Sequence, residues 1–101
     1  MRGKSLLSNE RDPRCFVCGT TLNLHVHHVY GGVGRRSVSD EEGCWVYLCG
    51  RHHNQSNEGV HFNKKMDAFL KATCQMRWEQ RECIDDPEHS EFIARFGRNY
   101  L

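Results

Sequence analysis

No stretch of this chain approaches the ~20 consecutive apolar residues that a membrane-crossing helix needs. Neither sign of charge dominates its 101 residues: 14 Lys and Arg stand against 13 Asp and Glu, for a formal net charge of +1. The first absence argues against a helical membrane span. The second means that no global field announces a nucleic-acid partner, so phosphate contact has to come from local clusters. No internal repeat or low-complexity segment is present. No apolar signal segment precedes the six cysteines, and residues 1–14 are polar and basic. The expectation is therefore a reducing cytoplasm rather than a disulfide-stapled secreted chain.

What is present is a set of closely spaced metal-binding side chains. Cys15-Phe16-Val17-Cys18 is answered thirty residues later by Cys49-Gly50-Arg51-His52. Two x2 knuckles of this kind have the spacing of a structural zinc site, in which each pinches one side of a tetrahedral ion. Gly19 fits the turn out of the first knuckle because it takes positive φ without strain. At 38% apolar residues the chain supports one folded domain with a modest core, and a structural zinc would add much to its stability.

Closing that site would draw His27, His28 and His53 into one neighbourhood, since each lies beside a knuckle or on the segment leaving one. In a regular strand His27 and His28 face opposite ways, His25 and His27 sharing one side and Leu22, Leu24, Val26 and His28 the other. Adjacent histidines then suggest two roles: one imidazole holds a metal, and the other takes a proton from water near neutral pH.

His27-His28-Val29, the glycine-bearing loop Gly31-Gly32-Val33-Gly34 and the run Leu48-Cys49-Gly50-Arg51-His52-His53 resemble the HNH (ββα-metal) endonuclease family. The likeness is to its small zinc-knuckle members common in phages and prophages. It covers about residues 15–61, and the ending Phe96-Gly97-Arg98-Asn99-Tyr100-Leu101 is also similar to that of prophage members. The resemblance implies a hairpin and a following helix gripping one catalytic divalent ion. By position His27 resembles the first metal ligand, His28 the general base and His53 the ligand at the start of the helix. His61 is a third-ligand candidate if 54–60 loops out, because Asn57 stands where some relatives place a further histidine. Cys44 occupies the place of the family's middle Asn, a brace for the hairpin loop; its presence removes no catalytic atom.

The chain in order predicts a loose basic arm over 1–12 and a single domain over 13–101, divided into a metal core at 15–61 and a helical part at 62–101. A strand is expected from about 22 into 28–30, a loop from Gly31 to Asp40, and a return strand at 44–48. A short helix should follow from Arg51 or His52. Asn63 is a fitting cap for a longer helix over 64–82, with Met66, Phe69, Leu70, Thr73, Cys74 and Trp78 as its apolar stripe. Asp86-Pro87-Glu88 reads as the start of a last helix that buries Phe92, Ile93 and Phe96, leaves His89 exposed and stops at Gly97. Cys74 and Cys83 are expected to pack in helices rather than form a bridge. The fold class is thus α+β: a small zinc-stabilised ββα-metal module with two additional C-terminal helices.

The functional expectation is a metal-dependent endonuclease hydrolysing DNA phosphodiester bonds, RNA remaining open as substrate. Its cofactors would be a structural Zn2+ and a catalytic Mg2+, Mn2+, Ni2+ or Zn2+, with Arg35 and Arg36 contacting phosphate. Such a protein would work in a bacterial host cytoplasm as a monomer or homodimer. The rival expectation is a non-catalytic zinc module that binds nucleic acid or a phage or assembly protein.

Overall fold

The computed structural model describes residues 3–31, 34–53 and 63–101. Its centre is a two-stranded antiparallel hairpin, β1 (Leu24–His28) with β2 (Trp45–Cys49), in the register His25 opposite Leu48 and His28 opposite Trp45. β2 forms where expected, displaced by one residue. Its side chains Trp45, Val46 and Leu48 are fully buried, as β-branched and aromatic residues in a strand covered on both faces should be. β1 begins only at Leu24; Leu22 lies outside it and is 74% exposed.

The segment between the strands is not the loop that its Gly, Ser and Arg content suggested. A helix, α1 (Arg35–Glu42), occupies most of it, entered at Gly34 and left at Gly43, both in the left-handed region. Val38 is its single apolar residue, so no amphipathic stripe marks it in the sequence. Its last turn is instead held from a distance. The Trp78 indole N–H and the guanidinium groups of Arg81 and Arg95 donate to the Glu42 carboxylate, and Arg95 also reaches Glu41. Gly43 is needed for its φ of 79° and for space, since a β-carbon there would run into the Lys4 carbonyl.

Burial alone would raise the Glu42 pKa, but the Trp78 N–H, Arg95 and Arg81 outweigh it and hold it below its ordinary 4.5. A group depressed in this way contributes stability that is complete above pH 4.5 and lost as pH falls through its folded value. Glu42→Gln should therefore cost about 1–2 kcal/mol at pH 7, and the gap from wild type should close as pH falls below 4.5 through the depressed folded value. Thermal melts of both chains at several pH values read this directly, and a pH-independent gap would contradict it.

A four-residue helix α2 (Gly50–His53) continues straight from β2. Helix α3 (Lys64–Arg81) follows, capped by Asn63, whose Oδ1 accepts the Met66 N–H at 3.1 Å. Leu70, Cys74 and Trp78, spaced four apart, form its buried line. The stripe is narrower than expected: Phe69 is 56% exposed. Helix α4 (Ser90–Phe96) starts later than Asp86-Pro87-Glu88 suggests. Asp86 accepts the N–H groups of Glu88 and Ser90, while His89 takes a φ of 57° and its Nδ1 lies 2.6 Å from Glu79 Oε1. His89 is thus tied to α3 rather than free on a helix surface. α4 buries Phe92 and Phe96 but leaves Ile93 38% exposed. Cys74 is buried in α3, whereas Cys83 lies beyond that helix and is exposed.

Tyr30, Trp78, Phe92, Phe96 and Tyr100 pack as one aromatic cluster, with Phe92 and Phe96 stacked at 4.4 Å between ring centroids. The basic arm is better anchored than its composition suggested. The Trp45 indole N–H donates to the Gly3 carbonyl, Ser5 Oγ donates to the Trp45 carbonyl, and the Tyr47 N–H donates to Ser8 Oγ. Residues 3–8 thereby satisfy the outer edge of β2, which would otherwise bury unpaired main-chain groups.

Candidate metal centre and histidine cleft

The first knuckle turns tightly because the Gly19 N–H donates to the Cys15 carbonyl at 2.8 Å with Gly19 at φ 77°. The second sits where β2 passes into α2, and the Gly50 N–H donates to the Asn23 carbonyl, which joins it to the entrance of β1. The result is a group of four ligands, Cys15, Cys18, Cys49 and His52, whose donor atoms all lie within 4.8 Å of one another. Among the described residues it is the group of this kind that converges so closely.

Its dimensions suit zinc. An ion with bonds of ~2.3 Å to sulfur and ~2.0–2.1 Å to nitrogen sets tetrahedral neighbours roughly 3.8 Å apart for two sulfurs and roughly 3.5 Å for sulfur and nitrogen. Cys18 Sγ and Cys49 Sγ are 3.8 Å apart, and His52 Nδ1 is 3.3 Å from Cys49 Sγ and 3.7 Å from Cys15 Sγ. This Cys3His cluster could hold a metal ion such as zinc. Burial pushes the Cys15 thiol up, but the N–H groups of Cys18, Cys49 and Val17 and the His52 ring hold it at about 6, below its ordinary 9.0. A thiol so lowered is prepared to ligate as thiolate. Cys49 is shifted upward by burial and, against the His52 N–H, by Cys15 and Cys18. Ionising three neighbouring sulfurs is costly without a cation and favourable with one.

Beside this cluster the hairpin opens into a cleft of about 480 Å3. His27, His28 and His53 all line it, together with Arg36 from α1 and Asp67 and Lys71 from α3. His27 is 7% exposed, with its ring 5.3 Å from that of His53. The His28 Nε2 donates to Asp40 Oδ1 at 2.9 Å. That bond fixes the proton on Nε2 and leaves Nδ1 as the basic nitrogen. Arg35 is placed differently from Arg36: its guanidinium lies against Gly97, outside the cleft lining. His61 lies outside the described residues.

Several contributors were not read from the sequence. Ser39 is fully buried, and its hydroxyl accepts the Tyr30 N–H at 3.1 Å while donating to the Tyr30 carbonyl at 2.9 Å. The Cys44 N–H donates to the Ser39 carbonyl, and the Cys44 carbonyl accepts the Val29 N–H. The main chain at Cys44 and the Ser39 hydroxyl thus brace the hairpin, leaving the Cys44 side chain free to pack. A bond with Cys74, together with burial, keeps Cys44 protonated, so it offers no thiolate. Asp40 was hidden in the presumed loop. Asp67 and Lys71, paired at 2.8 Å, carried one signal, their i, i+4 spacing, which is common on any solvated helix. Comparison with protein families, with curated proteins and with solved structures returned no match.

Proposed function

We propose that this chain is a metal-dependent endonuclease that hydrolyses DNA phosphodiester bonds in the manner of the HNH family it resembles, with the hairpin and α2 as its ββα-metal core. The observation that supports this most is the placing of His27, His28 and His53 in one cleft, with His28 backed by a carboxylate. A divalent cation held by His27 and His53, with His61 as a further candidate, would supply positive charge to the scissile phosphate and the leaving oxygen. His28 takes a proton from the attacking water at Nδ1, and Asp40 holds the ring in that tautomer and balances the imidazolium charge. Arg36 from α1 lines the cleft and places a cation where a phosphate backbone would pass, with Lys71, paired to Asp67, also in its lining. The Cys3His cluster anchors both sides of the hairpin and keeps the α2 histidine in register with β1.

The test is nicking of supercoiled plasmid in Mg2+, Mn2+, Ni2+ or Zn2+ by wild type and His28→Ala carrying equal structural zinc, with a single-stranded RNA run in parallel. Activity on plasmid in the wild type and its loss in the variant is the expected result. Equal activity in both would remove His28 as the base, and cleavage of RNA alone would change the substrate.

The second reading is a non-catalytic zinc module that binds nucleic acid or a phage or assembly protein. It is favoured by the Cys3His cluster being the group of four metal-ligating side chains that converges among the described residues, a set that needs no chemistry in the cleft. No nicking under any metal, with one zinc bound per chain, would establish it over the first.

A further inference from the structure

β1 places His25 and His27 on the same face, and α2 brings His53 between them, its ring 5.0 Å from that of His25 and 5.3 Å from that of His27. The closer pair is His25 with His53. Nδ1 of His25 and Nδ1 of His53 are 2.9 Å apart, with the rings nearly perpendicular at 88°.

The opposite nitrogen of His25 decides what faces His53. His25 Nε2 lies 3.3 Å from Asn23 Oδ1, an oxygen that can only accept, so Nε2 carries the hydrogen and Nδ1 presents a lone pair. A histidine whose outer nitrogen donates to a carbonyl oxygen while its inner nitrogen faces a second imidazole has the arrangement usual for a metal ligand. The separation agrees. Two nitrogens bonded to one ion at ~2.1 Å lie roughly 3.0 Å apart at an octahedral angle and roughly 3.4 Å apart at a tetrahedral one. Asn23 is itself held, because its carbonyl accepts the Gly50 N–H at the start of α2. The element carrying His53 and the residue orienting His25 are therefore fixed to each other.

We infer that His25 and His53 form a two-imidazole site for a borderline divalent cation, of the class of Ni2+, Co2+ or Zn2+, at the edge of the cleft. The inference builds on the reading of the cleft as cation-assisted and assigns His25 the place for which the sequence offered only His61. Two imidazoles select against Mg2+, which prefers carboxylate and water oxygen. His53, which lines the cleft with His27 and His28, places this site at the cleft's margin.

The test uses the full, tag-free chain with its structural zinc in place. Ni2+ is titrated calorimetrically into wild type, His25→Ala and His25→Gln, and Co2+ absorption is recorded in parallel. Zinc content and far-UV circular dichroism establish that each variant is folded, and Gln keeps a polar side chain without a ligating imidazole. Wild type is expected to take up a second cation per chain, with affinity lowered at least ten-fold in both variants. Unchanged affinity in the folded variants overturns the inference, as does the lack of a second cation in wild type. The outcomes separate from those of the endonuclease reading. A His25-dependent cation without nicking leaves the site and removes the nuclease; nicking with His25-independent binding does the reverse.

Discussion

Stripping the metal from Cys15, Cys18, Cys49 and His52 is expected to unfold the hairpin and, with it, most of the domain. The reason is one of scale. A domain of this size has a total stability of about 5–15 kcal/mol, while apparent zinc binding energies in small zinc modules are on the order of 10–16 kcal/mol. The cluster ties residues 15–18 to the end of β2 and the start of α2, segments joined besides by the Phe16 N–H to Tyr47 carbonyl bond and by core packing of Phe16. Titration with a strong chelator should release one zinc per chain and collapse the near-ultraviolet signal of Trp45 and Trp78, which are buried in the core. Cys49→Ser should behave as the chelated wild type does even in excess zinc. The Cys18 thiol is exposed, so Cys18→Ser should weaken zinc yet leave a measurable folded population. A chain that kept its near-ultraviolet spectrum after complete zinc release would show that the aromatic cluster alone sustains the fold.

The parts of this architecture that were legible in the sequence are those whose physics is local. A Cys-x2-Cys knuckle needs one turn and one glycine, and both lie within five residues. β2 was legible because a strand covered on both faces has to be apolar throughout, and Cys44-Trp45-Val46-Tyr47-Leu48 has little other use. Helix α1 was not, because it has a single apolar residue and its last turn is held from a distance, by Arg81, Arg95 and Trp78 reaching Glu42 from α3 and α4. Missing that helix concealed Ser39 and Asp40 together, since a helix is what turns both towards β1. The width of the α3 stripe was overestimated for a related reason. Periodicity gives the direction of an apolar face but not how much of it neighbours cover, and here Asp67 and Lys71 turn to the cleft while Phe69 faces outward. His25 was legible as a neighbour of His27 on one face; its partner across the site depended on where α2 begins.

On the proposed endonuclease reading, Asp40→Asn should lower the nicking rate about 10–10²-fold while leaving KM for plasmid nearly unchanged, and Asp40→Glu should recover part of the loss. The carboxylate touches the His28 ring and is not among the cleft-lining residues, so in the proposed reaction it would act through that imidazole. An amide at position 40 can turn its NH2 towards Nε2, which then accepts and moves the proton to Nδ1, the nitrogen that has to be bare. It also leaves the imidazolium formed during the reaction without a balancing charge. His28→Ala would remove the proposed base itself and should cost the 10²–10⁴-fold typical of general base catalysis. Groups that act as a unit are not additive, so Asp40→Asn placed on His28→Ala should cost little more. The main-chain carbonyl of Asp40, which accepts the N–H groups of Gly3 and Gly43, is untouched by these changes, and the thermal midpoint of each variant checks that α1 persists. Equal losses in the presence and absence of His28 would mean that Asp40 serves the site by another route, with the cation as its nearest candidate partner.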